Sequence, residues 1–387
     1  MNQSARILLV LLLLISFTYA DISISGDARV RPRWDMNDAG DYGNKTTDIY
    51  YFYWARLDIK ADIGDGYFFK TRLAHNGAGN FIGKFGTGDL PSSVSYKNAG
   101  RGTVDFLLAY FGYQGKTYGW STGLLPVPGS LLIDAHFYPI KPLDIPWILF
   151  NNNAAHGFNF NYRFLGQKLD LTVFVDDNSG MSVEGEVVTS TDTSYAWLID
   201  QTTDTLRIYR DTTYTSTTTD PNQSTRDQYT LNLSYPIKAL GVQIKPEIFV
   251  TLADSGKAAP MTFGADVTLP KVAGFVISAG AGAVTQNVET AVFPGAYSGV
   301  VNRFKLAGKV GPGSLVTWVD MFKIDPKLDG APNITSTSIW LSYKYLLYKS
   351  DAGEVSLKPT YRQLTQKIDG LQDLNRVFLE LTTEIKF

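Results

Sequence analysis

The 387-residue sequence has no cysteine, three histidines, and charged side chains at only 19% of its positions. Without cysteine there is no disulfide framework, no thiolate-bound zinc or iron–sulfur cluster, and no lipid-modified cysteine anchor. His75, His136 and His156 stand at no metal-ligand spacing and no nucleophile motif accompanies them, so neither a metal centre nor a hydrolytic triad is expected, and no cofactor. Thirty-five Lys and Arg face thirty-seven Asp and Glu, a net charge of -2 that leaves no basic footprint for nucleic acid. Long apolar runs are missing as well. After residue 20 nothing approaches the roughly eighteen apolar residues of a membrane-spanning helix.

What the chain has is glycine, 35 residues, and aromatics, 22 Tyr and 22 Phe, a composition of strands and turns. Residues 1–20 stand apart. Arg6 precedes an apolar run from Ile7 to Ile15, and Thr18 and Ala20 are small residues at peptidase-reading positions, so 1–20 reads as a signal peptide and 21–387 as the exported chain.

Period two dominates from there on. Ile22, Ile24, Gly26, Ala28, Val30, Pro32 and Trp34 alternate with Ser23, Ser25, Asp27, Arg29, Arg31 and Arg33, the pattern of a strand with one apolar and one wetted face. Sixteen such segments are legible, near 21–35, 48–63, 67–75, 103–113, 118–125, 157–165, 169–176, 227–235, 242–252, 261–269, 275–284, 302–310, 315–324, 337–348, 354–366 and 375–387. Their apolar faces carry almost no charge, while the opposite faces gather it. A soluble sandwich has no reason to keep charge off its outer face, but hydrocarbon does, because a charge near the bilayer midplane costs about 2–4 kcal/mol. On this register, positions such as Thr230 and Ser342 should accept a charge that Leu57, Leu231 and Leu381 should not. The links alternate in length, short after even segments and long after odd ones, as in a transmembrane barrel with tight turns on one side and loops on the other.

The last segment sets Val377, Leu379, Leu381, Thr383, Ile385 and Phe387 on one face and ends on Phe387. This terminal strand resembles the signal by which bacterial outer-membrane barrels engage their assembly machinery, although Ile385 stands where an aromatic is usual. The stretch from Arg56 to Gly66, followed by Tyr67, Phe68, Phe69, Lys70, Thr71, Arg72 and Leu73, is similar to the second hairpin of porin-like families. Together with the alternation, the exported chain resembles the sixteen-stranded general porins. That resemblance implies an all-β, antiparallel up-and-down barrel with long extracellular loops and an inward third loop. It also implies outer-membrane lipid and the assembly machinery as partners, small hydrophilic solutes or ions as cargo, and allows a homotrimer.

Sixteen strands enclose an aqueous channel where eight would be filled by side chains, so passive diffusion is the expected function. Across strands fifteen, sixteen, one, two and three the lumen faces hold Lys358, Arg362, Arg376, Lys386, Arg29, Arg31, Arg33, Arg56, Lys60, Lys70 and Arg72. Set against five acids these leave an excess of six, a basic wall that resembles the arginine ladder of general porins and predicts a weak anion preference. Cross-strand pairing with Asp58, Asp62, Glu380 and Glu384 is the competing use of the same residues. Loop three, Pro126 to His156, carries twelve large apolar residues and is expected to fold inward, with Asp134 and Asp144 facing the basic wall. Two other functions fit the same strands: a channel selective for an acidic solute or sugar, with Trp54 among its contacts, and a closed structural or adhesive barrel. The Thr-rich stretch 177–226 reads as a solvated flap.

Overall fold

The computed structural model describes residues 21–38, 45–75, 83–86, 104–126, 130–137, 154–175, 181–182, 194–200, 205–211, 229–252, 261–286, 289–290, 297–326 and 332–387. The leader 1–20, Asp144 and the threonine cluster at 212–219 lie outside them.

Sixteen strands form one closed antiparallel sheet: β1 (Asp21–Asp38), β2 (Thr46–Gly64), β3 (Tyr67–His75), β4 (Val104–Gln114), β5 (Tyr118–Pro126), β6 (Ala154–Phe164), β7 (Gln167–Phe174), β8 (Tyr229–Ser234), β9 (Val242–Leu252), β10 (Met261–Thr268), β11 (Phe275–Gln286), β12 (Tyr297–Val310), β13 (Gly313–Pro326), β14 (Ile334–Ser350), β15 (Gly353–Ile368) and β16 (Leu374–Lys386). Each strand pairs with the next, and β16 returns to β1, from Asp27 opposite Lys386 to Asp38 opposite Asn375. Closure leaves no sheet edge, the condition for carrying backbone N–H and C=O groups through hydrocarbon. A short segment, Gly83–Gly86, continues the direction of β3 against Tyr50–Tyr53 of β2, and Ile237–Ala239 extends β8. Among the described residues one helix, α1 (Leu131–Phe137), lies in the connection between β5 and β6.

All sixteen expected segments are strands, several longer than expected: β12 begins at Tyr297 and β14 at Ile334. The tight turns share a chemistry. Asp65-Gly66, Leu165-Gly166, Leu240-Gly241 and Ala273-Gly274 each put two successive residues at positive φ, between 48° and 90°, the twist that type I′ hairpins need. Glycine takes the second place in each, where the left-handed backbone would otherwise strain a side chain.

Burial is inverted relative to a soluble protein. Val30, Trp34, Leu341, Leu381 and Ile385 are exposed on the outer face, while Asp27, Arg33, Asp320, Glu380 and Glu384 are buried on the inner one. The informative observation is this coincidence of exposed large apolar residues with buried charge, which lipid outside and polar groups inside explain together. Three bulges interrupt the ladders, the first at Ile63 beside the β2–β3 turn. The pairing of β3 with β4 skips Leu107, so Val104 and Phe106 face out but Leu108 turns inward; the pairing of β14 with β15 skips Leu347, leaving Tyr345 through Tyr348 all exposed. An extra residue in one strand inverts the faces beyond it.

The expectation that Thr230 and Ser342 would accept a charge is corrected. Thr230 is fully buried and hydrogen-bonded to Thr251 at 2.9 Å, and the Ser342 hydroxyl accepts from Thr360 at 3.1 Å. Facing the lumen is not the same as facing water, because other lumen residues cover these two.

Candidate channel lumen

The β16–β1 and β1–β2 ladders bring the basic residues of the sequence reading onto one wall. Arg29 Nη2 lies 2.6 Å from Glu384, and Arg33 and Arg362 grip the two oxygens of Glu380 at 2.6 Å each. Arg56 reaches Asp27 at 2.7 Å, Arg72 reaches Asp58 at 2.7 Å, and Arg376 reaches Asp35 at 2.7 Å. Arg31 differs: its Nε donates to Thr382 Oγ1 at 3.1 Å, and its Nη1 lies 3.7 Å from Glu380. Lys70 sits apart, its ammonium 5.4 Å from the Phe68 ring centroid, on the rung that pairs it with Lys60.

The five acids of the sequence reading undercount this wall. Asp21, Asp35, Asp48 and Glu354 share the inward face with Asp27, Asp58, Asp62, Glu380 and Glu384, so eleven basic residues meet nine carboxylates and the excess is two. An arginine and a carboxylate at 2.6 Å act at a distance as a dipole, whose field falls faster than that of a lone charge. Long-range attraction of anions therefore rests on amines outside such pairs. Among the described residues Lys70, Lys305 and Lys358 are the half-buried lumen amines with no carboxylate within ion-pair distance; the exposed Lys309 and Lys349, near the short turns, have none either. Lys305, on β12, was not singled out in sequence; its place on the inward phase of β12 is the signal that identifies it.

Beside that wall, β13 and β14 carry an aromatic stack that sequence reasoning missed. Trp318 and Trp340 are cross-strand partners with ring centroids 4.4 Å apart and planes 13° from parallel, and the Arg362 guanidinium covers Trp340 at 3.8 Å. Arg303, held by Asp320 through Nη2 at 2.6 Å, faces Trp318 at 5.4 Å. Stacking of this kind pins long side chains flat against the barrel instead of letting them cross the lumen.

Across the lumen lies α1. It packs on β9, β10, β11 and β12, with Leu131, Leu132 and Ala135 in one buried cluster with Phe249, Val284 and Val301. These strand residues are on the inward phase, so the described part of loop three is inside the barrel. Room for the helix comes from β11, where a side chain at Gly282 would collide with Leu132. His136 fixes its end: fully buried, it exchanges hydrogen bonds with Thr251 at 2.8 Å and Thr262 at 3.0 Å and stacks on Phe249. Burial alone pushes the imidazole pKa down to about 3, so the ring is neutral. Asp134 lies on α1, across from the basic wall; its side chain, like Asp144 and the side chain of Trp54, lies outside the described residues.

No protein-family model matches the chain, and no curated protein matches it in sequence. Solved structures do. The chain is similar to an anion-selective porin from Comamonas acidovorans at 12% identity over 95% of this chain and 100% of that one, with a TM-score of 0.55. It is similar to the outer-membrane channel DcaP of Acinetobacter baumannii at 12% identity, covering 96% and 98%, TM-score 0.56, and to OprB of Pseudomonas putida at 11% identity, covering 97% and 96%, TM-score 0.50. At these identities the likeness is one of fold, and the fold is the sixteen-stranded barrel of outer-membrane porins.

Proposed function

We propose that the protein is a passive diffusion porin of the outer membrane of a Gram-negative-type bacterium, exported by the segment 1–20, admitting small hydrophilic solutes with a weak preference for anions. The observation that carries this reading is the closed sixteen-stranded sheet with charge inside and apolar residues outside, a geometry that encloses water and not a packed core. The anion preference rests on the amines of Lys70, Lys305 and Lys358 in a lumen whose arginines are matched by carboxylates. Charges lining the lumen act on a passing ion within the Debye length of about 8 Å, where acids on outer loops are screened. Purified protein in planar bilayers should give steps of current and a reversal potential on the anion side, stronger at low salt. Gln at Lys70, Lys305 and Lys358 together should move it toward cations. Strong cation selectivity, indifferent to those three changes, would defeat the assignment.

Phe387 belongs to the same proposal as the assembly signal, and its local geometry adds a second duty. Gly26 N–H donates to the Phe387 carbonyl at 2.8 Å, Phe387 N–H donates to Gly26 at 3.1 Å, and a Cβ at Gly26 would lie 2.7 Å from the aromatic ring. The last residue thus closes the β16–β1 seam with its ring over a glycine. Removing Phe387 should leave an exported chain that inserts poorly and is degraded. A normal amount in outer-membrane fractions would mean that neither the signal nor the seam depends on it.

A further inference from the structure

Among the cations of the basic wall Lys358 stands out. It lies on the inward face of β15, half-buried, with no hydrogen bond or ion pair among the described residues. The charged groups acting on its ammonium are Arg29, Arg31 and Arg362 against a single carboxylate, Glu384. That carboxylate is taken by Arg29 at 2.6 Å, and Glu380 beyond it is taken by Arg33 and Arg362. Directly across the β15–β16 ladder is Thr382, nearly fully buried, whose Oγ1 accepts from Arg31 Nε and so has its own proton left to donate. Three adjacent strands therefore present an ammonium, a hydroxyl and a guanidinium around one place, with the neighbouring acceptors already engaged.

We propose that Lys358, Thr382 and Arg31 form a binding site in the lumen for a compact inorganic oxyanion of the phosphate or sulfate type. Adjacent strands stand about 4.8 Å apart, so donors on three of them are best met by an ion carrying several acceptor oxygens; chloride answers only to the charge. The site rests on the reading of the barrel as a conducting porin for its role in transport, but not for its existence. It makes the channel one in which an oxyanion dwells while chloride passes.

The test uses the full-length folded barrel and inorganic phosphate as probe. In planar bilayers phosphate should reduce the chloride current of the wild type in a saturable way. Lys358→Gln should raise the half-blocking concentration by about tenfold or more, the effect expected for one charge-assisted hydrogen bond. Lys305→Gln removes the same charge from β12; both variants should shift the reversal potential, but only the first should lose the block. Titration calorimetry on detergent-solubilised protein reads the site without current: phosphate heat present in the wild type and lost in Lys358→Gln supports it even where no channel conducts, an outcome that would sink the porin reading alone. Conducting channels that phosphate does not block, or a block and binding heat unchanged in Lys358→Gln, would overturn the site.

Discussion

Arginine at Leu381 should leave the chain largely unfolded in lipid vesicles, whereas arginine at Ser25 should fold as the wild type does. Leu381 is at the middle of β16, 44% exposed on the outer face and opposite Pro359, so an arginine there enters hydrocarbon with no strand end near enough for its head to reach water. The cost is about 2–4 kcal/mol near the midplane, a large share of the stability of an ordinary domain. Ser25 is one strand away on the inward phase of β1, exposed, and its ladder partner is Asp58, an acid that would welcome a cation. Leu341 on β14 should behave as Leu381 does, since it too is exposed on the outer face and far from either strand end. Gel mobility of heat-resistant folded barrel against unfolded chain gives the yield for each variant. Equal yields for Leu381→Arg and Ser25→Arg would mean that outside and inside have been exchanged, and every lumen assignment would fall with them.

Such a test is worth making because the faces were legible strand by strand while the partners were not. Hydrocarbon on one side and water on the other impose period two along each strand, and that period survives in a single sequence, which is why Arg29, Arg31 and Arg33 could be placed in the lumen at once. Pairing across the seam is another matter. Arg29 and Glu384 are 355 residues apart, and nothing local to either says that they meet, so pairing with Glu380 and Glu384 stood in the sequence only as the competing use of arginines read first as a basic wall, and the structure holds those carboxylates against them. The bulge at Leu107 escaped for a different reason: in Phe106-Leu107-Leu108-Ala109-Tyr110-Phe111 both phases are apolar, and an extra residue leaves no trace in the alternation. Loop three was legible as a segment too apolar for solvent, but its helix was not. Seven residues are too few to show a helical period, and α1 is held by what the barrel offers it, the space over Gly282 and the hydroxyls of Thr251 and Thr262.

That dependence on the wall makes the seating of α1 sensitive to pH. Docked, His136 is neutral with its pKa pushed down to about 3 by burial; undocked and in water, it would titrate near 6.5. A base whose pKa is depressed on docking contributes fully above the free value, loses ground as pH falls through 6.5, and reaches its floor only below the docked value. At pH 5 the docked state should be weaker by about 2 kcal/mol than at pH 7.5. Current through a single channel, steady at pH 7.5, should then break into frequent transitions at pH 5 as α1 leaves β9–β12 and returns. Glu247 and Asp266 are carboxyl side chains on that same wall, so the control is His136→Gln, whose amide can donate and accept as the ring does but binds no proton. In that variant the acid-induced transitions should be absent. Gly282→Leu should produce them at pH 7.5, because its side chain takes the place of Leu132 and keeps α1 from seating. Wild-type current as steady at pH 5 as at pH 7.5, or an acid response that His136→Gln retains, would show that α1 does not hang on the histidine and that loop three is held by its apolar contacts alone.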